Sequence, residues 1–176
     1  MSRLILRPAT LADADAIANL HARSWRETYR GLFSDAFLDG PVFAERRALW
    51  EQRLGGWDRA RNVVLLAEVE GLLAGFASVM LDVEPDWGAR LDNLHVDPDA
   101  KGRGIGRQLL HAAGHWTQGK TQRLHLMVFE GNVAARGFYD AMQGECVERR
   151  EVTVEDGTRL MELRYLWRNL QVLAKA

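Results

Sequence analysis

Apolar and polar residues change their spacing repeatedly along the chain, and the first changes predict a strand followed by a helix. Residues 3–7 alternate between apolar and polar, which is typical of a short strand that ends at Pro8. Thr10 and Asp13 have the spacing of a capping box, and residues 14–20 carry apolar side chains at helical intervals. We therefore expect a short strand and then an amphipathic helix.

The next segments predict a second helix and a β-hairpin. Residues 24–40 have no clear period and are expected to be less regular, whereas residues 43–54 have a helical pattern that stops at two glycines. The apolar runs 63–69 and 72–81 flank a Glu-Gly pair that suits a tight turn. Because both runs are apolar on both faces, we expect the sheet to be covered on two sides.

A third strand is predicted over residues 90–96, and its alternation is broken. Leu94 and Val96 share one face, but Leu91 lies at an odd spacing from both. One extra residue in the strand restores the pattern, so we predict a β-bulge near residues 92–93.

The second half of the chain predicts two more helices and three more strands. The expected elements are a helix over 105–116, a strand over 124–128, a helix capped by Asn132, and strands over 145–154 and 159–165. The mixture of strands and helices predicts an α/β fold.

Composition limits the function classes. The chain has 176 residues, 47% of them apolar and 27% charged, which predicts a single globular domain over residues 1–176. Lys and Arg total 23 against 24 for Asp and Glu, so the net charge is −1. A near-neutral protein has no long-range field for nucleic acid or an anionic membrane, and neither is expected as a partner.

Cysteine usage and the N-terminal sequence predict a cytoplasmic protein. Cys146 is the only cysteine, so a disulfide within the chain is excluded and a reducing compartment is favoured. Pro8 interrupts the N-terminus before an apolar signal-peptide core can form, and no apolar run is long enough to span a bilayer.

The segment KGRGIG at residues 101–106 is the strongest chemical signal. It follows a predicted strand and opens a predicted helix, so backbone N–H groups collect at the positive end of the helix dipole. Lys101, Arg103 and Arg107 add cationic side chains around the same point. This arrangement predicts a site for an anion, most simply a phosphate or pyrophosphate.

A second segment has the letters of a phosphate-binding loop in the wrong context. Residues 114–121, GHWTQGKT, satisfy the pattern G-x-x-x-x-G-K-T. A functional loop of this kind follows a strand and precedes a helix. Here the predicted helix enters the motif and a strand leaves it, so we expect an ordinary helix-to-strand turn with Gly119 near the helix end.

Two segments resemble the GNAT superfamily of acyl-CoA-dependent N-acetyltransferases. Val96, Pro98, Gly104 and Gly106 match the family pattern of a strand, a V-x-P turn and Q/R-x-x-G-x-G/A, with Lys101 at the position where the family usually has Gln or Arg. Downstream, the sequence is similar to the family's V-x-x-x-N-x-x-A-x-x-F-Y segment; the matching residues are Val128, Asn132, Ala135, Phe138 and Tyr139.

The resemblance implies a fold and a cosubstrate. The fold would be the α/β GNAT fold, with a mixed, mostly antiparallel central sheet flanked by helices and a splay between the fourth and fifth strands. The cosubstrate would be acetyl-CoA, with no metal, and the enzyme would move the acetyl group to a primary amine of a small molecule or peptide. The implied cofactor-binding residues are Leu94, His95, Val96, Lys101, Gly102, Arg103, Gly104, Ile105, Gly106 and Asn132.

The resemblance also implies catalytic roles. Tyr139 matches the family's usual general acid, although a tyrosine on a helix is also a common core residue. Asp92 lies where many members carry an acidic residue on the bulged strand and is the candidate general base. His95, Glu27 and a chain of water molecules are alternatives to Asp92.

The acceptor site is the least determined part of the sequence. Trp25 and Tyr29 are candidates for an amine pocket, and core packing explains them equally well. His111 and His115 have i, i+4 spacing but no third metal ligand is apparent, so no metal site is expected. The acceptor's identity and a homodimer both stay open.

Two other functions remain as alternatives at this stage. An acyl-CoA-binding regulatory module without transfer chemistry would keep the loop at residues 101–106 and release no thiol. A nucleotide hydrolase would depend on Lys120 in the GHWTQGKT segment, against the strand-loop-helix order that such enzymes need.

Overall fold

The computed structural model describes residues 3–154 and 156–174. The strands and helices alternate as an α/β protein; in chain order they are β1 (Leu4–Pro8), α1 (Ala14–Thr28), α2 (Asp35–Asp39), α3 (Val42–Gly56), β2 (Asn62–Val69), β3 (Leu72–Glu84), β4 (Gly88–Val96), α4 (Ile105–Thr117), β5 (Leu124–Phe129), α5 (Val133–Ala141), β6 (Glu145–Thr153) and β7 (Arg159–Trp167). Among the described residues, no helix combines the length and apolar character needed to cross a membrane.

The seven strands form one mixed sheet in the order β1-β2-β3-β4-β5-β7-β6. Every neighbouring pair is antiparallel except β4 and β5, which run parallel. These two strands pair only at Ala89 with Leu124 and at Arg90 with His125, close to their amino ends. Beyond that point they separate, so the predicted splay between the fourth and fifth strands is confirmed.

The predicted bulge lies on β4, directly before the splay. Asn93 pairs with Ser78 of β3, but the next pair joins Val79 to Leu91, which leaves Asp92 as the extra residue. The bulge reverses the alternation of β4 and turns Asn93 and His95 toward the side of the sheet on which Ser78 lies.

Helices cover both faces of the sheet, as its two-sided apolar strands predicted. On one face, the largest core cluster joins α4 to β5 and β7 through Leu109, Leu126 and Tyr165. On the other face, Ile17 of α1 and Trp50 of α3 pack against the β2–β3 hairpin. Each layer removes apolar side chains from water, which is the main favourable contribution to folding.

The prediction of a less regular segment over residues 24–40 is wrong at residues 24–28, which continue α1, and at residues 35–39, which form the short helix α2. The helix α1 continues to Thr28, and the N–H of Tyr29 still donates to the carbonyl of Trp25 at 2.9 Å. Trp25 and Tyr29 lie one turn apart and pack against Phe33, so tertiary contacts stabilise this turn. Polar residues between the aromatic ones hid the helical period from the sequence pattern.

Candidate functional site

A cleft of about 740 Å³ opens where β4 and β5 separate. Its walls come from five parts of the chain: the end of α1, residues 91–96 of β4, the loop into α4, residues 126–128 of β5, and α5 with the residues before it. Because the two strands do not pair here, the backbone of β4 is open to a ligand that lies between them.

The glycine-rich loop forms one end of this cleft. Gly102 and Gly104 have φ angles of 78° and 77°, in the left-handed region that other residues rarely adopt. Gly104 precedes the first turn of α4, and no side chain of the described residues caps that turn. The first N–H groups of α4 therefore have no acceptor within the helix and point out of its positive end. Such an arrangement suits a phosphate or pyrophosphate.

Most of the residues predicted to hold a cofactor line the cleft. The lining members of that set are Leu94, His95, Val96, Lys101, Gly102, Gly104, Ile105, Gly106 and Asn132. Arg103 is exposed and is not part of the wall, so the structure separates its side chain from the others. Arg107 does line the cleft, although the sequence interpretation named it only as a nearby cation.

The second glycine motif lies elsewhere. Residues 114–117 form the last turn of α4, and the chain then turns into β5. Lys120 Nζ donates to the carbonyl of Trp116 at 2.8 Å, so this cation interacts with a helix carboxyl end. The reversed order of helix and strand that the sequence predicted for this motif is confirmed.

Tyr139 of α5 lies against the inner wall of the cleft. Its ring is buried and packs against Phe138, Tyr165 and Trp167. Its hydroxyl makes no hydrogen bond with any residue that the structure describes and is not sealed from the cleft. Burial raises the pKa of Tyr139, so the hydroxyl keeps its proton and can act as a donor.

Asn132 connects α5 to α1. Its side-chain oxygen caps α5 by accepting from the N–H of Ala135 at 3.2 Å. Its carboxamide also faces the hydroxyl of Tyr29. Burial raises the pKa of Tyr29 to about 12, and Asn132 opposes this rise. The cap that the sequence predicted at Asn132 is therefore confirmed, and the same side chain contacts Tyr29 at the carboxyl end of α1.

The two aromatic residues predicted for an amine pocket separate in the structure. Tyr29 lines the cleft, and Trp25 is not part of its wall. The Trp25 ring lies under the guanidinium of Arg46, 4.5 Å from it, and packs against Phe33. This environment favours the packing role for Trp25, which the sequence had left equal to the pocket role.

Asp92 is held in ion pairs at the bulge. Its carboxylate lies 2.7 Å from Nη1 of Arg53 and 3.3 Å from Nε of Arg90. The side-chain amide of Asn93 donates to it at 2.8 Å. The oxygens of Asp92 are therefore occupied by contacts with two arginines and one amide in the cleft wall.

His95 and Glu27, the other two candidate bases, also have partners. His95 Nδ1 lies 2.9 Å from the hydroxyl of Ser24. Burial, followed by the charge of Arg46, lowers the pKa of His95 to about 4, so its ring is neutral near pH 7. Glu27 is half exposed and pairs with Lys101 Nζ at 2.9 Å across the mouth of the cleft.

The remaining candidates for special chemistry lie away from the cleft. His111 contacts the carbonyl of Leu173 through Nδ1, and His115 is exposed one turn later. Cys146 is exposed on β6. Within residues 3–154 and 156–174, no three His, Cys, Asp or Glu side chains are grouped to hold a metal.

Comparison with known proteins identifies similar sequences and folds. A family model described as the acetyltransferase (GNAT) family matches residues 15–144. An uncharacterised N-acetyltransferase of Bacillus subtilis, YuaI, is 26% identical over 171 residues, which cover 96% of this chain and 95% of that protein.

Solved structures share the fold. A GCN5-related N-acetyltransferase from Rhodopseudomonas palustris superposes with a TM-score of 0.73 at 23% identity and covers 94% of this chain and 96% of its own. The yncA protein of Salmonella typhimurium was solved with its cofactor acetyl-CoA. It has a TM-score of 0.69 at 20% identity, and the match covers 96% of this chain and 95% of that chain. At this identity the two structures establish the architecture alone.

Proposed function

Because the chain belongs to the acetyltransferase (GNAT) family, we propose that it transfers an acetyl group from acetyl-CoA to a primary amine of a small molecule or peptide. Both substrates would be bound together, and the amine would attack the thioester directly. The observation that carries this proposal is the cleft at the β4–β5 splay, which has an anion-binding loop at one end and the hydroxyl of Tyr139 in its wall.

The cofactor would lie along the cleft with its pyrophosphate on the loop 101–106. The free N–H groups of α4 would bind the phosphate oxygens, and Lys101 and Arg107 would add positive charge. The pantetheine arm would extend between the strands and hydrogen-bond to the unpaired backbone of β4 at residues 94–96. A backbone N–H of this segment is also suited to stabilise the oxyanion.

The reaction would proceed through a tetrahedral intermediate. The amine nitrogen forms a bond to the thioester carbon, and the carbonyl electrons move to oxygen. The C–S bond then breaks as the carbonyl re-forms, which releases the thiolate of coenzyme A, and the nitrogen loses one proton. Tyr139 would donate a hydrogen bond to the sulfur as its negative charge develops.

The surplus proton would leave through water in the open cleft. Asp92 is in ion pairs with two guanidinium groups, and the lowered pKa of His95 makes its imidazole a weak proton acceptor. These contacts favour the water chain over both side chains.

The pH profile tests this route. We expect kcat/KM for the amine to rise with pH and to level off at the pKa of the amine itself, because only the unprotonated amine can attack. For a fluorinated amine of similar size and lower basicity, the plateau should begin at correspondingly lower pH. A plateau at the same pH for both amines would instead indicate a titrating group of the enzyme.

The two neighbouring arginines test the position of the pyrophosphate. We expect Arg107→Ala to weaken acetyl-CoA binding by roughly five- to tenfold, since it removes one charge from the cleft wall. Arg103→Ala is the matched control, because its exposed side chain lies outside the wall. The difference should shrink at high salt, which calorimetry at two ionic strengths measures. Equal losses in both variants would contradict this placement.

The acceptor is to be found with an amine panel that is read by release of the coenzyme A thiol. The panel should span polyamines, aminoglycosides, amino acids and peptide N-termini. Turnover with any of them supports acetyl transfer, and the products identify the acceptor class. Tight binding of acetyl-CoA without thiol release for any amine would instead support a regulatory acyl-CoA-binding module.

A further inference from the structure

The carboxamide of Asn93 lies in the cleft wall at the bulge and is fixed by two neighbours. Its amide nitrogen donates to the hydroxyl oxygen of Ser78 at 3.0 Å and to the carboxylate of Asp92 at 2.8 Å. Ser78 is completely buried. The two hydrogen bonds satisfy both amide hydrogens, so the nitrogen has no donor left for a ligand.

The orientation of the carboxamide follows from the chemistry of its partners. An ionised carboxylate only accepts hydrogen bonds, so the atom of Asn93 that faces Asp92 must be the nitrogen. Arg53 and Arg90 hold Asp92 in place from α3 and from β4. The alternative orientation would set the side-chain oxygen of Asn93 against a carboxylate oxygen, which is repulsive.

The side-chain oxygen of Asn93 is therefore the group that remains available. Among residues 3–154 and 156–174 it has no hydrogen-bond donor, and it is not sealed from the cleft that Asn93 lines. Asn93 extends from the same face of β4 as His95, directly after the point at which β4 and β5 separate. Asn93 thus brings to the cleft wall an acceptor oxygen that no described residue occupies.

We propose that Asn93 Oδ1 binds the acceptor amine by accepting a hydrogen bond from one of its N–H groups. The inference rests on the acetyl transfer proposed above and assigns a binding residue for its second substrate. A neutral primary amine has two hydrogens and one lone pair. When one hydrogen is bound to Asn93, the lone pair stays free to attack the thioester, and the second hydrogen is the one lost as a proton.

Asp92 acquires a different role from that of a base. It is a positioning residue, since its carboxylate fixes the amide of Asn93 and thereby directs Oδ1 into the cleft. Arg53 extends this support to α3 through its 2.7 Å contact with Asp92. A chain of contacts from α3 to the cleft thus determines the direction of one oxygen atom.

Steady-state kinetics test the proposal with n-propylamine, an acceptor that has no other polar group, and with the best amine of the panel. We expect Asn93→Ala to raise KM for the amine roughly tenfold, the value of one hydrogen bond, and to leave KM for acetyl-CoA unchanged. Asn62→Ala is the control, because it removes a carboxamide that bonds to the carbonyl of Asp58 outside the cleft. Equal changes in both KM values would overturn the proposal.

Two substitutions of Asp92 separate positioning from base catalysis. Asp92→Leu removes the acceptor for the Asn93 amide and should raise KM for the amine as much as Asn93→Ala does. Asp92→Asn keeps an oxygen for that amide, so the rise should be only about two- to threefold. A base would instead show a loss of 10²- to 10⁴-fold in kcat for Asp92→Asn, with an altered pH profile, and that result would overturn the positioning role.

A binding measurement on the unaltered protein does not depend on turnover or on the folding of variants. In protein saturated with coenzyme A, the side-chain amide signals of Asn93 in a nitrogen–proton NMR spectrum should shift saturably as n-propylamine is added, while those of Asn62 should not. If these signals do not move, the proposal fails. If they move but no amine releases thiol, the binding role stands and the proposed acetyl transfer fails.

Discussion

Replacing Tyr139 by Phe is expected to lower kcat about 100-fold and to change KM for acetyl-CoA little. The substitution removes one hydroxyl group and keeps the ring, which packs against Tyr165 and Trp167. The hydroxyl would stabilise the departing thiolate, a charge that exists only as the C–S bond breaks, so its loss acts on turnover rather than on binding. Thiol release at saturating amine measures the effect.

The raised pKa of Tyr139 adds a second expectation. Since burial favours the protonated hydroxyl, the tyrosine stays a donor across the alkaline range in which an exposed tyrosine would ionise. Tyr165→Phe is the matched control: its hydroxyl donates to Asp140 at 2.9 Å and is not part of the cleft wall. A Tyr139→Phe enzyme with kcat within twofold of the unaltered protein would remove Tyr139 from the mechanism.

Acidification from pH 7 to pH 5 is expected to destabilise the fold, and His125 alone should account for about 2 kcal/mol of this loss. His125 is buried on β5, where Arg164 Nη1 lies 2.8 Å from its Nδ1. Burial, followed by the charge of Arg164, lowers its pKa from 6.5 to about 4. Between these two pKa values the unfolded chain therefore binds a proton at His125 that the folded chain does not bind. The contribution of neutral His125 to the free energy of unfolding is fully present above pH 6.5 and decreases as the pH falls toward 4.

Urea unfolding at both pH values measures this contribution. We expect His125→Gln, which keeps an acceptor for Arg164 and cannot titrate, to lose about 2 kcal/mol less between pH 7 and pH 5 than the unaltered protein. His115→Gln, on the exposed face of α4, should lose as much as the unaltered protein. If all three proteins lost the same amount, His125 would not be buried in its neutral form.

The pattern of the sequence predicted most secondary-structure elements because their apolar residues are regularly spaced. The hairpin, the helix from Ile105 and the bulge at Asp92 all follow from local periodicity. The helical turn at residues 24–28 escaped prediction, since it is stabilised by aromatic packing with residues that lie outside its own turn. Such contacts leave no period in the sequence.

The site was predictable to the extent that it depends on backbone and motif. The order of strand, glycine loop and helix around Gly104 predicts an anion site without any tertiary information. The side-chain roles were not accessible in the same way. Asp92 is an acidic residue on the bulged strand, but its contact with Arg53 joins β4 to α3 across 39 positions of the sequence, and local spacing does not predict such a contact.

The sequence by itself determined the family, the α/β architecture and the glycine-rich loop before α4, because each depends on local spacing and on motifs of a few residues. The tertiary structure alone decided which polar atoms remain available in the cleft. It pairs Asp92 with two arginines and buries the ring of Tyr139. Within the part of the chain that the structure describes, it leaves the hydroxyl of Tyr139 and the side-chain oxygen of Asn93 without a hydrogen-bond partner. Hydrogen bonds and ion pairs between distant segments determine which donors and acceptors are satisfied, and that accounting requires the folded chain.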